Sequence, residues 1–209
     1  YKNLAAAIEE LKDSGSNKGG LCNYEDGKDY YEYLVRYSTG SSDSIKDLQK
    51  QVEQKRKEDL LQLSELLTKN PILAKESESY QLDTSDPSQI LAQLKETIKK
   101  DFPEAPDANF TVKYVDEALE DYLSPAFYLT SPIDDYKENS IYINEGSHYE
   151  KMKLFTTLAH EGFPGHLYQN VFANTSGLPS VRQLLNYSGY TEGWATYVEM
   201  ISYQYAGLD

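Results

Sequence analysis

The sequence predicts a mostly α-helical α+β fold, in which a small β-sheet packs against a helix that carries a histidine–glutamate pair. Two observations support this fold. Long segments place apolar residues at helical spacing, whereas residues 102–145 hold β-branched and aromatic runs bounded by prolines and turn residues. We therefore predict a mainly helical part, residues 1–101, and a part with the sheet and the histidine helix, residues 102–209. We expect both parts to form one continuous domain. The chain starts at Tyr1 rather than at a methionine, so we expect this domain to be a piece of a longer protein.

Three segments of the first 101 residues are expected to form regular structure. KDYYEYLVRYSTG is apolar and aromatic enough to be a buried helix or a buried strand. A long helix is capped by Asp43 or Ser44, keeps apolar residues at helical spacing, and ends at Asn70-Pro71. A third helix begins at Asp86-Pro87, a cap followed by proline at the first helical position, and continues through ILAQLKETIKK.

The second part is predicted to begin with strands and to end with helices. FTVKYV, SPAFYLTSP and NSIYIN supply the sheet, with IYIN as its last strand. Ser147 to Glu150 form a capping-box pattern, which predicts a helix over residues 152–163 with His160 and Glu161 near its end. Further helices are expected over residues 178–186 and from about Thr191 to the end.

The composition excludes several classes of partner and site. With 34 Asp and Glu against 20 Lys and Arg, the net charge is −14, which argues against nucleic acids and anionic membranes as partners. A single cysteine, Cys22, excludes an intrachain disulfide and a cysteine-built zinc site. No run approaches the roughly 18 apolar residues of a membrane-spanning helix, so we expect no membrane segment in this chain.

The stretch HEGFPGH raises the possibility of a metal site. Its histidines, His160 and His166, are six residues apart, about 240° around a straight helix, and could not bind one ion there. Pro164 removes the amide that would bond the carbonyl of His160, and it disfavours the α conformation at Phe163. A break at Phe163-Pro164-Gly165 would bring the histidines together, and Pro164 could start a new helix that carries His166 and Gln169. The alternative is that two core histidines share a helix.

Two histidines leave a zinc ion short of a protein ligand, and the best candidate for the third is Glu192, 26 residues beyond His166. The alternative is a surface glutamate that the helix dipole favours at a helix start. Glu199 lies seven residues further on the same face, where it could orient a histidine. Glu161, beside His160, is placed to take a proton from the attacking water.

Other residues are weaker candidates for orienting a ligand or contacting a substrate. Tyr190 lies beside Glu192 and could donate a hydrogen bond to a transition-state oxyanion, although packing is the alternative. Asn144 and the IYIN strand could pair with an extended substrate, unless this strand lies inside the sheet. Gln169 follows His166 on the same predicted helix, and Trp194 is interpreted as a core residue.

The segments HEGFPGHLYQ and YTEGWATYVE resemble the paired signatures of a bacterial family, domain of unknown function 885. Its pattern is H-E-x-x-P-G-H followed by E-G-W-A on a later helix, and the family is similar to gluzincin metallopeptidases. The resemblance covers the last ~70 residues well and the region from about residue 30 more loosely. It implies a zincin-like core with Zn²⁺ held by His160, His166 and Glu192, and with Glu161 as general base. Family members are usually much longer than this chain.

These features predict a zinc-dependent metallopeptidase that hydrolyses peptide bonds of a peptide or protein substrate through an activated water. One alternative is a non-catalytic binding or scaffold domain that the metal stabilises. Another is a zinc hydrolase that acts on amides or esters other than peptides. Glu161 favours catalysis, because a purely structural zinc would not need it. A bacterial cell-envelope or secreted location is expected if the longer protein carries a signal peptide.

Overall fold

The structure, a computed structural model, describes residues 1–16, 19–73, 75, 82–146, 150–179, 181–185 and 187–207. The chain forms two compact units, Tyr1–Leu66 and Leu67–Asp209. The sequence placed its division later, between residues 101 and 102. The helix that lies between these two boundaries belongs with the second unit, because Ile90, Leu91 and Leu94 are buried in that unit's core.

The first unit contains α1 (Lys2–Leu11), α2 (Gly27–Thr39) and most of α3 (Ile45–Lys69). Ser44 caps α3 as predicted, since its Oγ accepts the backbone N–H of Asp47 at 3.1 Å. The expectation that KDYYEYLVRYSTG is buried was wrong. The segment forms α2, but its tyrosines are exposed, as are most of the large apolar side chains of α3. Helical spacing therefore identified α3 correctly, whereas the sequence had left α2 open between helix and strand, and burial did not follow from the apolar pattern of either segment.

The second unit contains a three-stranded sheet within its described residues, which confirms the predicted strands. The strands are β1 (Asn109–Tyr114), β2 (Ala126–Leu129) and β3 (Glu138–Ile143), in the order β1-β3-β2. β1 runs parallel to β3, and β2 runs antiparallel to it, with Tyr128 opposite Ile141. Because β3 is the central strand, the idea that IYIN is a free edge for a substrate was wrong.

The helices of this unit are α4 (Pro87–Thr97), α5 (Lys151–Glu161), α6 (His166–Thr175), α7 (Val181–Leu184) and α8 (Ser188–Tyr205). Asp86 caps α4 as predicted, accepting the N–H of Gln89 at 2.8 Å. Glu150 is the N-cap residue of α5 and makes no side-chain capping bond, so it is not the third helical residue that a capping box needs. The other part of that prediction, at residues 147–149, lies outside the described residues. The helix predicted over 178–186 is the short α7, and α8 begins three residues earlier than expected.

Helix α5 lies between the sheet and α8. Phe155, Leu158 and Ala159 are fully buried in a core shared with α4 and β3, which confirms that the histidine helix packs against the sheet. Each large apolar side chain buried in this way contributes roughly 1.5–3 kcal/mol. Helix α8 packs along α5, and its Ala195 and Val198 are fully buried. This packing fixes the histidine-bearing end of α5. Among the described residues, no helix is long and apolar enough to cross a membrane.

Candidate metal centre

The chain leaves the helical conformation between the two histidines, as predicted. Helix α5 ends at Glu161 and α6 begins at His166, with the turn Gly162 to Gly165 between them. The Phe163–Pro164 peptide bond is cis. The suggestion that Pro164 starts the second helix was wrong, because Gly165, the N-cap of α6, has non-helical φ and ψ of −79° and −134°.

Glycine at position 165 allows the turn to fold directly onto the end of α5. A Cβ added there would overlap the backbone carbonyl oxygens of Ala159 and His160. A Cβ added at Gly162 would lie 2.8 Å from the carbonyl oxygen of Leu158. The backbone therefore packs against backbone, and His166 comes to lie beside His160 with 4.8 Å between the ring centroids.

Glu192 from α8 completes a cluster with the two histidines. Its Oε2 lies 3.7 Å from His160 Nε2 and 3.6 Å from His166 Nε2. One potential ligand atom from each of the three residues lies within 4.8 Å of the others. The histidine side chains are mostly buried, 19% and 14% exposed, whereas that of Glu192 is 62% exposed. The predicted convergence of these three side chains is confirmed.

The donor set fits a zinc ion. Two imidazole nitrogens and one carboxylate oxygen match the three protein ligands typical of a catalytic zinc. Tetrahedral ligands about 2.0–2.1 Å from zinc are separated from one another by about 3.3 Å. The separations of 3.6 and 3.7 Å from Glu192 Oε2 exceed this value by a few tenths of an ångström, and all three ligand atoms lie within 4.8 Å of one another. The role of the three residues as ligands stays a prediction.

Glu199 holds the His160 ring in the orientation that a metal site needs. Its Oε2 lies 2.9 Å from His160 Nδ1, so a proton on Nδ1 makes this bond and leaves the lone pair on Nε2. Nε2 is the ring nitrogen that lies nearest Glu192 Oε2, at 3.7 Å. Carboxylates commonly orient metal-binding histidines in this way, as predicted from the seven-residue spacing between Glu192 and Glu199.

Glu161 is fixed by an interaction that the sequence analysis missed. The backbone N–H of Tyr128, on β2, donates a hydrogen bond to Glu161 Oε2 at 2.9 Å. Burial raises the pKa of the Glu161 carboxyl, and the Tyr128 bond and nearby His160 oppose this rise only in part. Burial also lowers the pKa of the His166 imidazole, which favours the neutral form that binds metals.

A pocket of about 340 Å³ opens beside these residues. Besides the cluster and Glu161, it is lined by Tyr128, Thr130 and Asn170, which the sequence analysis did not single out. The Tyr128 hydroxyl donates to Asn139 Oδ1 at 2.7 Å and accepts from Asn170 Nδ2 at 2.9 Å. Asn170 lies four residues after His166 and so on the same helix face, a signal that could have identified it.

The weaker candidates do not join the pocket. The assignment of Asn144 to substrate contact was wrong, because this residue is fully buried and its Nδ2 donates to the carbonyls of Glu120 and Leu123 at 2.7 and 2.9 Å. Tyr190 is 69% exposed and is not among the lining residues. Gln169 is not among them either, and its buried Nε2 has no hydrogen-bond partner in the described part of the chain. Roles for Tyr190 and Gln169 stay predictions.

A solved structure shares this fold. The crystal structure of the "putative lipoprotein from Colwellia psychrerythraea" matches with a TM-score of 0.72 and 21% sequence identity. The match covers 98% of this chain and 39% of that chain, so the present chain spans about two fifths of the other's length. A search of curated proteins finds no match to the sequence.

The family comparison extends well beyond the two motifs at the site. A family model described as bacterial protein of unknown function (DUF885) matches residues 1–206, which include both helical histidines and the Glu192 segment. The chain therefore belongs to the DUF885 family of bacterial proteins.

Proposed function

We propose that the protein is a zinc-dependent hydrolase of the peptidase type. The observation that carries this proposal is the convergence of His160, His166 and Glu192 on one point, with Glu161 lining the same pocket. A bound zinc ion would polarise the carbonyl of the scissile bond and lower the pKa of water. The protein supplies the ligands, their orientation and a proton acceptor.

Glu161 is the proposed general base. A carboxyl whose pKa is raised by burial is a stronger proton acceptor than an ordinary one, which suits work near neutral pH. The Tyr128 N–H holds Oε2, so Oε1 is the oxygen that would accept the proton of the attacking water. The protonated carboxyl would then return this proton to the leaving amine.

The residues that line the pocket suggest the class of substrate. Tyr128, Thr130 and Asn170 form a polar wall beside the proposed metal site, in which the Tyr128 hydroxyl and the Asn170 amide bond each other, and a polar wall suits the amide groups of a peptide backbone. Peptides and proteins are therefore the proposed substrates. An amide or ester of another kind would meet the same polar groups, so the test includes such compounds.

The experiment compares wild-type protein with Glu161→Gln and His166→Ala. Zinc content and hydrolysis are measured for each, using a mixed peptide library and a panel of non-peptide amides and esters. Glu161→Gln is expected to keep the zinc, because the three ligands are untouched, and to lose about 10²–10⁴-fold in rate. His166→Ala is expected to lose both zinc and activity.

The outcomes separate the alternatives. Undiminished hydrolysis by the glutamine variant would exclude Glu161 as the base. Zinc binding that stabilises the fold, without hydrolysis of any compound by the wild type, would favour a scaffold. Hydrolysis restricted to non-peptide compounds would identify a different substrate class.

We also propose a location in the bacterial cell envelope or outside the cell. The word lipoprotein in the description of the Colwellia psychrerythraea structure is compatible with this location. Fractionation of cells that express the protein at its natural level would test it, and recovery in the cytoplasm alone would contradict it.

A further inference from the structure

We infer that Trp194 is a positioning residue, whose indole N–H holds the start of α8, and with it Glu192, against the turn between the two histidines. The indole Nε1 donates a hydrogen bond to the backbone carbonyl of Pro164 at 2.8 Å. Pro164 is buried and directly precedes Gly165, the N-cap of the helix that carries His166. The bond thus joins the Glu192 helix to the segment that brings the histidines together.

The ring of Trp194 is held by its neighbours, so the bond has a defined geometry. Phe102 contacts it edge-on, with 5.8 Å between centroids and 82° between planes. The same Phe102 contacts Tyr168 on α6, at 6.3 Å and 71°. Aromatic pairs at these distances and angles are favourable, and they restrict rotation of the indole. Trp194 was interpreted from the sequence as a core residue, and it does pack against the core while half-buried.

The position of the Glu192 carboxylate depends on where the α8 backbone lies more than the positions of the two mostly buried histidine rings depend on their own helices. The side chain of Glu192 is 62% exposed, so little packing restrains the carboxylate. It lies two residues before Trp194, near the beginning of α8, where helices fray most readily. Ala195 and Val198 fix the following turns by burial, whereas the indole bond connects this end of the helix directly to the histidine turn.

The test measures zinc affinity, which rests on the proposed function. It therefore also measures amide hydrogen exchange in the metal-free protein, which does not depend on a bound metal. Trp194→Phe keeps an aromatic ring beside Phe102 but removes the N–H. Tyr168→Phe is the matched control, because it removes a hydroxyl that donates to the Pro103 carbonyl at 2.9 Å and leaves Pro164 untouched. The sequence contains a single tryptophan, so biosynthetic replacement of tryptophan by benzothienylalanine gives a second variant that keeps the ring shape and lacks the N–H.

Two quantities are measured for each protein. One is the Kd for Zn²⁺, from competition with a chelator. The other is amide hydrogen exchange in the metal-free protein over residues 162–166 and 188–193. Both Trp194 variants are expected to raise the Kd by about 10-fold, the lower end of the effect of residues that support metal ligands, and to speed exchange in these two segments. Tyr168→Phe is expected to change neither.

Failure of this inference can be told apart from failure of the proposed function. If the benzothienylalanine protein binds zinc like the wild type and exchanges at the same rate, the inference is overturned while the metal site stands. If the wild type binds no zinc, the proposed function fails, and exchange alone decides the inference. Faster exchange confined to the two segments then supports it, and unchanged exchange overturns it. If Trp194→Phe does not fold, the benzothienylalanine protein gives the answer.

Discussion

Replacing Gly165 by alanine should separate the two histidines, because this glycine packs against the last turn of α5. The added Cβ would overlap the carbonyl oxygens of His160 and Ala159. Both are backbone atoms, so neither can rotate aside as the end of a flexible side chain would. The turn must move away from α5, and His166 must move with it.

The size of the effect follows from this contact. Overpacking a protein interior costs about 1–3 kcal/mol, and we expect the upper end here because backbone atoms are involved. Alanine lowers the entropy of the unfolded chain relative to glycine, which offsets about 0.5–1 kcal/mol. The net loss of about 2 kcal/mol should lower the melting temperature by roughly 4–8 °C. The affinity for zinc should fall by at least about 10-fold, as for other changes that misplace a ligand.

Gly193→Ala is the matched control. It is the same substitution, next to Glu192, but a Cβ at this helical position meets no atom within 4 Å. Alanine should therefore stabilise α8 by about 0.5–1 kcal/mol and leave zinc binding intact. Urea unfolding and chelator competition measure both quantities. Equal stability and equal zinc affinity in the two variants would refute the argument from the close approach at Gly165.

Three further predictions concern the charged groups of the site. Burial raises the pKa of Glu161, so the stability this group contributes is fully present below its ordinary value of about 4.5 and is lost as the pH rises through the folded-state pKa. In urea unfolding of metal-free protein, Glu161→Gln should therefore be more stable than wild type at pH 7, and this advantage should disappear at pH 4; a constant difference would contradict it. Glu199→Gln removes the charge that orients His160 and should weaken zinc binding about 10-fold, measured by chelator competition, and an unchanged Kd would argue against that role. Zinc at 100 times its Kd should raise the free energy of unfolding of the wild type by about 2.7 kcal/mol, and an equal gain in His166→Ala would exclude His166 as a ligand.

The sequence predicted local structure better than burial. Caps made by Ser44 and Asp86 marked helix starts correctly, because capping depends on atoms within three residues of each other. The strands were found from β-branched and aromatic runs bounded by prolines. The tyrosines of α2 were expected to be buried and are exposed, since burial depends on what the rest of the chain brings to that face. The sequence likewise left undecided whether β3 is an edge strand or the central strand, because strand order is set by contacts far apart in sequence.

At the site, too, features set by residues close together in the sequence were predicted, whereas a hydrogen bond between distant segments was not. The six-residue spacing of the histidines made a break in the helix a geometric requirement for a shared ion, and the proline and glycine between them favoured that break. The spacing of Glu192 and Glu199 placed both on one helix face. The hydrogen bond from Tyr128 to Glu161 joins residues 33 positions apart and could not be anticipated from either segment. The position of Asn170 close to His166 could have been predicted, because it lies one helical turn later. An asparagine as such, however, does not indicate that the residue lines a pocket.

The arrangement of charge gives an independent reason to expect a cation at this site. Glu161, Glu192 and Glu199 carry carboxylates around His160, and burial already raises the pKa of the Glu161 carboxyl. Carboxylates in a partly buried cluster repel one another unless a positive charge lies among them. A charged His166 would supply one, but burial lowers its pKa and favours the neutral ring. A divalent ion bound by His160, His166 and Glu192 would supply two positive charges and would use the neutral ring of His166 as it stands. Features that weaken a fold on their own, here a broken helix and clustered carboxylates, are most often retained where a site needs them.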